Sequence, residues 1–227
     1  IFTPRYGDIN ERRHQLHEVI RLSGMNLVIN DVDMPLIVKV ASIQKERMQV
    51  YFIDNDEYFK QEDAFDDQGK LYADNDERCI FFAKGIIETV KKLNWSPDLI
   101  HIQGWLGALL PLYLKTYYKD EPIFYNTQTI TCFLRSPFEG QLDAALLSKV
   151  GFDEITEKEA EELREPHSLN LIKIASRYSD AITTIKGTLP QEAIDYIQGT
   201  GKPFLQGETI EATCKVYPQF YKELLHK

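Results

Sequence analysis

Apolar and polar positions change their period repeatedly along this chain. Short runs with strand character, LIVKVASI (36–43), MQVYFID (48–54), DLIHIQ (98–103), TQTITCFL (127–134), AITTIK (181–186) and PFLQ (203–206), are separated by longer stretches with helical spacing. Residues 76–93 predict a helix: Asn75, Asp76 and Glu77 suit its start, Ile80, Phe81, Ile86, Ile87 and Val90 form one buried stripe, and Lys91 and Lys92 suit its end. Asp74 either caps that helix or faces a ligand cleft. Trp95, Pro97 and Asp98 turn the chain into strand 98–103, Gly104 breaks it, and LGALLPLYLKTYY (106–118) predicts a buried helix in which Pro111 kinks or resets the first turn. Helix, strand, helix, strand is the rhythm of an α/β fold, a mostly parallel sheet covered by helices. The pair 36–43 and 48–54 breaks that rhythm. Only QKER (44–47) joins them, too little for a crossover, so they form a β-hairpin insertion.

The remaining segments narrow the chemistry. IFTPRYG at the start reads as the end of a strand. His14 and His17 share one face of an expected exposed amphipathic helix, without the third ligand a metal site needs. The acidic stretch 153–165 reads as a solvated helical face or lid. The acidic run 53–67 fails as a calcium loop, because counting from Asp54 puts Tyr58, Phe59 and Phe65 at ligand and glycine positions. With a net charge of −9, broad binding to nucleic acid or anionic lipid is not expected, and no apolar run approaches the length of a membrane span. Cys79, Cys132 and Cys214 are too scattered for a disulfide framework or a zinc site, so no metal is expected and a reducing, cytoplasmic setting fits. Phosphate-binding glycine motifs and nucleophile elbows are absent from the sequence. What remains is topology: ligands of open α/β sheets sit at the carboxyl ends of parallel strands. That rule selects the turn Gln103, Gly104, Trp105 and the turn Leu134, Arg135, Ser136, with Gln103, Trp105 and Arg135 as candidate substrate-binding residues. His101, inside a strand, reads as a packed core residue. Trp105, Tyr113, Tyr117 and Tyr118 suit sugar stacking and helix packing equally well.

Several blocks, PRYG (4–7), VYFIDNDEYF (50–59), the run from Tyr72 to Leu114 and SDAITTIKGTLPQEAI (179–194), resemble in order the amino-terminal catalytic domain of bacterial glycogen and starch synthases. The resemblance implies one Rossmann-like domain over 1–227, half of a two-domain GT-B fold. It implies transfer of glucose from ADP-glucose to an α-1,4-glucan without metal or other cofactor. It also implies that the chain starts at the family's second strand, after a Lys-x-Gly-Gly loop, and that 208–227 is a closing helix packed back on the domain, with the second domain dropped.

The chain departs from the pattern at the two selected turns. Where the family carries an Asp-Trp pair, this sequence has Gly104 and Trp105, and where it carries His-Asn, the aligned residues are Leu134 and Arg135. No catalytic residue is assigned. Two readings stay open: a glucosyltransferase, weak or inactive alone and active with a protein supplying the second domain, or a non-catalytic relative that binds glucan, nucleotide or a partner protein.

Overall fold

In a computed structural model of the protein, residues 1–135 and 138–226 are described; Ser136, part of the second candidate turn, lies outside them. The sequence reading takes 1–227 as one domain. Contacts gather the chain into two compact units, Ile1–Trp95 and Ser96–Lys227, and each is described by itself.

The first unit holds strands β1 (Phe2–Pro4), β2 (His17–Glu18), β3 (Met25–Ile29), β4 (Val32–Ile43) and β5 (Met48–Asp54), and helix α1 (Asn75–Leu93). The order is β1-β5-β4-β2, with β3 also on β4. The expected hairpin is β4 and β5, antiparallel with Ile43 opposite Met48. The opening IFTP is a strand parallel to β5. Leu36, Val38 and Ile53 form the floor on which α1 rests, and Gly85 lets the helix approach: a Cβ there would stand 3.0 Å from Ile53 Cγ2 and 3.3 Å from Leu36 Cδ1. α1 is buried around most of its circumference, not along one stripe. Asp74 stands at the N-cap position of α1 but its side chain makes no capping hydrogen bond. Its carboxylate pairs with the fully buried Arg78 at 3.0 Å, and the Tyr72 ring lies over the Arg78 guanidinium.

The helix expected around His14 and His17 does not form. Both side chains are exposed, Gln15 adopts a left-handed φ of 53°, and the chain joins β4 instead, with the Val19 amide donating to Val38 at 2.8 Å. Pairing with an existing strand outweighs local helix preference.

At the carboxyl end of β1, Gly7 of the PRYG block passes so close to the following loop that a Cβ would lie 2.0 Å from the Lys60 carbonyl oxygen. That oxygen is backbone and cannot swing aside. Gly7→Ala is therefore expected to destabilise this unit by roughly 1–3 kcal/mol, read as a lowered urea midpoint at unchanged slope.

The second unit carries a four-stranded sheet in the order β6 (Leu99–Gln103), β7 (Gln128–Phe133), β8 (Ala181–Ile185), β9 (Phe204–Gly207), every pair parallel. Its helices are α2 (Leu110–Lys115), α3 (Leu146–Gly151), α4 (Ser168–Tyr178), α5 (Gln191–Gly199) and α6 (Ile210–Leu225). The helix expected over 106–118 is shorter: α2 starts at Leu110 with Pro111 in its first turn, and Thr116 caps its end. Residues 153–165 form turns and one short 3-10 segment. Their first carboxylate is not solvated: Asp153 is buried and accepts the Tyr113 hydroxyl at 2.7 Å.

Alternation along the strands assigns the two faces. Thr131 meets Ser179 at the end of α4. Ile130 and Ala181, on the other face, pack with Leu224, Phe220 and Tyr221 of α6. Lys202 closes α4, donating to the carbonyls of Ser176, Arg177 and Ser179 and so satisfying acceptors that the helix end leaves open. Among the described residues no helix is long and apolar enough to cross a membrane.

Candidate functional site

All four strands of the second unit point their carboxyl ends to one edge, and the residues selected from sequence sit there. Gln103 ends β6 and is exposed. The chain then turns through Gly104, whose amide donates to the Cys132 carbonyl at 2.9 Å on the neighbouring strand. Trp105 opens a short 3-10 turn and is half-buried, its ring edge-on to Phe138 with centroids 5.0 Å apart. Arg135 lies two residues beyond β7 and is exposed. The topology thus brings Gln103, Trp105 and Arg135 to adjacent strand ends.

Three further residues belong to this edge. β7 and β8 pair Phe133 with Thr184, and two residues beyond each stand Arg135 and Lys186. Lys186 continues the ladder to β9, its amide donating to Gly207, and its ammonium lies 3.4 Å from Glu208 with both side chains mostly exposed. Phe138 joins through Trp105. The register of β7 against β8, which a single strand pattern does not encode, is what places Lys186. Tyr113 and Tyr118 are removed from the stacking candidates, being buried in the core, whereas Tyr117 is exposed. Among the described residues no group of three His, Cys, Asp or Glu side chains could hold a metal ion. Asp54, from which the failed calcium count begins, is instead neutralised by Arg5 and Lys39.

Gly104 decides what this edge can do. Its φ of 81° with ψ of 174° lies in a region that essentially only glycine occupies. A carboxylate at this position is therefore not one substitution away. Gly104→Asp is expected to cost about 1–3 kcal/mol of stability, checked by thermal unfolding.

Residues 1–204 match the family described as the starch synthase catalytic domain. The chain belongs to that family. Among starch synthase relatives it is 32% identical over 204 residues to the glycogen synthase of Chlorobium luteolum, covering 88% of this chain and 41% of that enzyme. It is 34% identical over 195 residues to that of Chlorobium phaeovibrioides, covering 85% and 39%. The chain thus spans about two fifths of the length of these curated relatives. Its fold is similar to the catalytic domain of Starch Synthase IV from Arabidopsis thaliana bound to ADP and acarbose, with a TM-score of 0.70 at 15% identity, covering 91% of this chain and 43% of that one. The fold class read from sequence, one half of a GT-B architecture with helices over a parallel sheet, agrees with that likeness.

Proposed function

We propose that this chain is the acceptor-side half of a glucosyltransferase that passes glucose from ADP-glucose to an α-1,4-glucan, and that these 227 residues alone are weakly active or inactive. The observation that carries the reading is the family match over residues 1–204, which runs through both turns of the carboxyl edge. The ADP and acarbose held by the Arabidopsis neighbour support a nucleotide-sugar and a glucan as the ligand classes.

The chemistry is the reason weak solo activity is expected. Breaking the sugar–diphosphate bond places negative charge on the leaving group, so catalysis depends on fixed cations and donors aimed at it. At this edge the exposed cations are Arg135 and Lys186, and Lys186 is shared with Glu208. In this reading Gln103 hydrogen-bonds sugar hydroxyls, the Trp105 face offers an apolar stacking surface, and Arg135 meets phosphate. A partner protein supplying the second half would complete the diphosphate clamp.

The second reading, a non-catalytic binder of glucan or nucleotide, draws on Gly104, whose glycine-only backbone leaves this turn without a carboxylate. Calorimetric titration with maltoheptaose and with ADP, alongside ADP release from ADP-glucose, separates the two. Turnover supports the enzyme; binding without turnover that persists when the carboxy-terminal domain of a bacterial glycogen synthase is added supports the binder. Failure to bind either ligand overturns both.

A further inference from the structure

Helix α6 lies on a strip of the second unit's sheet that is unusually polar for a buried face. Parallel strands covered on both sides normally present aliphatic runs. Under α6 the sheet instead offers His101 from β6, Cys132 from β7 and Thr183 from β8. Tyr217 bridges two of them, its hydroxyl 3.1 Å from Cys132 Sγ and 3.1 Å from Thr183 Oγ1. Tyr221 meets the third, its hydroxyl 2.6 Å from His101 Nδ1. The two tyrosine rings stack at 5.5 Å, and both stand edge-on to the imidazole. Apart from these contacts, α6 is held by the packing of Leu224 and Phe220 on Ile130 and Ala181. Of its residues only Thr213, Tyr217 and Leu224 are buried, and Pro218 removes one of its backbone hydrogen bonds.

We propose that α6 is a pH-sensitive latch, docked while His101 is neutral and released when that ring takes up a proton.

The groups facing the ring explain why. Tyr217 and Tyr221 come from α6, with Cys214 on the same helix, and Cys132 lies under Tyr217 on β7; burial pushes the pKa of both tyrosines and of Cys132 up, so these three are uncharged at neutral pH. The carboxylates of α6 are engaged elsewhere: Glu211 with Lys215 at 2.6 Å, and Glu223 with the Gln219 amide at 2.8 Å, all exposed. His101 is half-buried, and a proton on it would be a partly desolvated charge without a counter-ion among the described residues, which is costly. Burial alone lowers the pKa of His101 from its ordinary 6.5. With the docked value lowered, docking is at full strength above 6.5 and weakens as the pH falls below it. Exposing the imidazole to water relieves the charge, and the contacts that lock α6 are the ones that must open.

Release uncovers Cys132, which is completely buried when the helix is docked. The test labels the Cys214→Ser chain with 4,4′-dithiodipyridine, which reacts with thiols in acid as well as at neutrality, and reads Cys132 separately from the remaining Cys79 by peptide mass spectrometry. Rates are normalised to a free cysteine peptide. The latch predicts roughly a tenfold faster reaction at about pH 5.5 than at about pH 7.5, with backbone amides of β7 and β8 still protected from hydrogen exchange. In His101→Gln the rate is expected to become independent of pH. In Tyr221→Phe, which keeps the ring but removes its partner, Cys132 is expected to react faster than the parent already at neutral pH. Equal parent rates at both pH values overturn the proposal. So does a pH response that survives in His101→Gln, or loss of sheet protection in step with labelling, since that is general unfolding.

Discussion

Purified and supplied with ADP-glucose and maltoheptaose, the 227-residue chain is expected to release ADP at no more than about one hundredth of the rate of a full-length glycogen synthase assayed beside it. Loss of a single preorganised donor in an anion-stabilising site costs about 10²–10³ in rate. Here the turn after β6 lacks a carboxylate, the turn after β7 carries Leu134 and Arg135, and the chain spans about two fifths of its relatives. Grouped losses are not additive, so one such factor is taken as the bound. A cleft open to water would weaken what electrostatic help remains, because solvent screens it. A rate within threefold of the full-length enzyme would show that the edge of this sheet suffices for the chemistry.

The largest stability effect is expected at Asp54, the last residue of β5. Its carboxylate is almost completely buried, with Arg5 Nε at 3.1 Å and Lys39 Nζ at 2.9 Å; Lys39 also reaches Glu11 at 2.6 Å. Three strands are tied by one side chain: β1 through Arg5, β4 through Lys39, and β5 itself. The Arg5 contact is close as a pair of charges but not aligned as a hydrogen bond, so the Lys39 contact is the more directional of the two. Asp54→Ala leaves two mostly buried cations sharing only the half-exposed Glu11. Breaking a buried pair from one side typically costs 3–5 kcal/mol, about what is expected here. Burial opposes the charge on Lys39, but its hydrogen bonds to Glu11 and Asp54 outweigh that and hold its pKa above the ordinary 10.5. The sign is that of a raised folded value: this contribution is intact through neutral pH and is lost only as the pH climbs through the alkaline range. Urea unfolding of Asp54→Ala at neutral pH, with hydrogen exchange read on peptides of β4 and β5, checks the loss. A change below about 1 kcal/mol would mean that the site relaxes or admits water.

Much of this architecture is legible in the sequence because its strongest signals are local. Strand 98–103 is bounded by a turn and a glycine, and the hairpin 36–43 with 48–54 follows from the brevity of QKER. Helix 76–93 carries acidic and basic residues at the matching ends. The misses are tertiary. β3 and the first part of β4 went unread because Pro35 discourages a strand, yet Pro35 pairs with Asn26 and its carbonyl accepts from Asn55 at 2.9 Å. His14 and His17 sit in a sequence that favours a helix until β4 captures it. At the carboxyl edge, the strand-end rule selects Gln103, Trp105 and Arg135 as candidates, whereas the placing of Lys186, Glu208 and Phe138 beside them depends on strand register and loop packing.

The turn at Gly104 also bears on the Asp-Trp pair that the resemblance implies at this position. A backbone settled where side chains do not fit acts as a ratchet. Installing an acid asks the loop to be rebuilt first, and each step toward that rebuilding is penalised until the last one is in place. An attempt to convert this protein into a competent catalyst should therefore transplant the whole β6 turn with its flanking residues, not exchange one side chain.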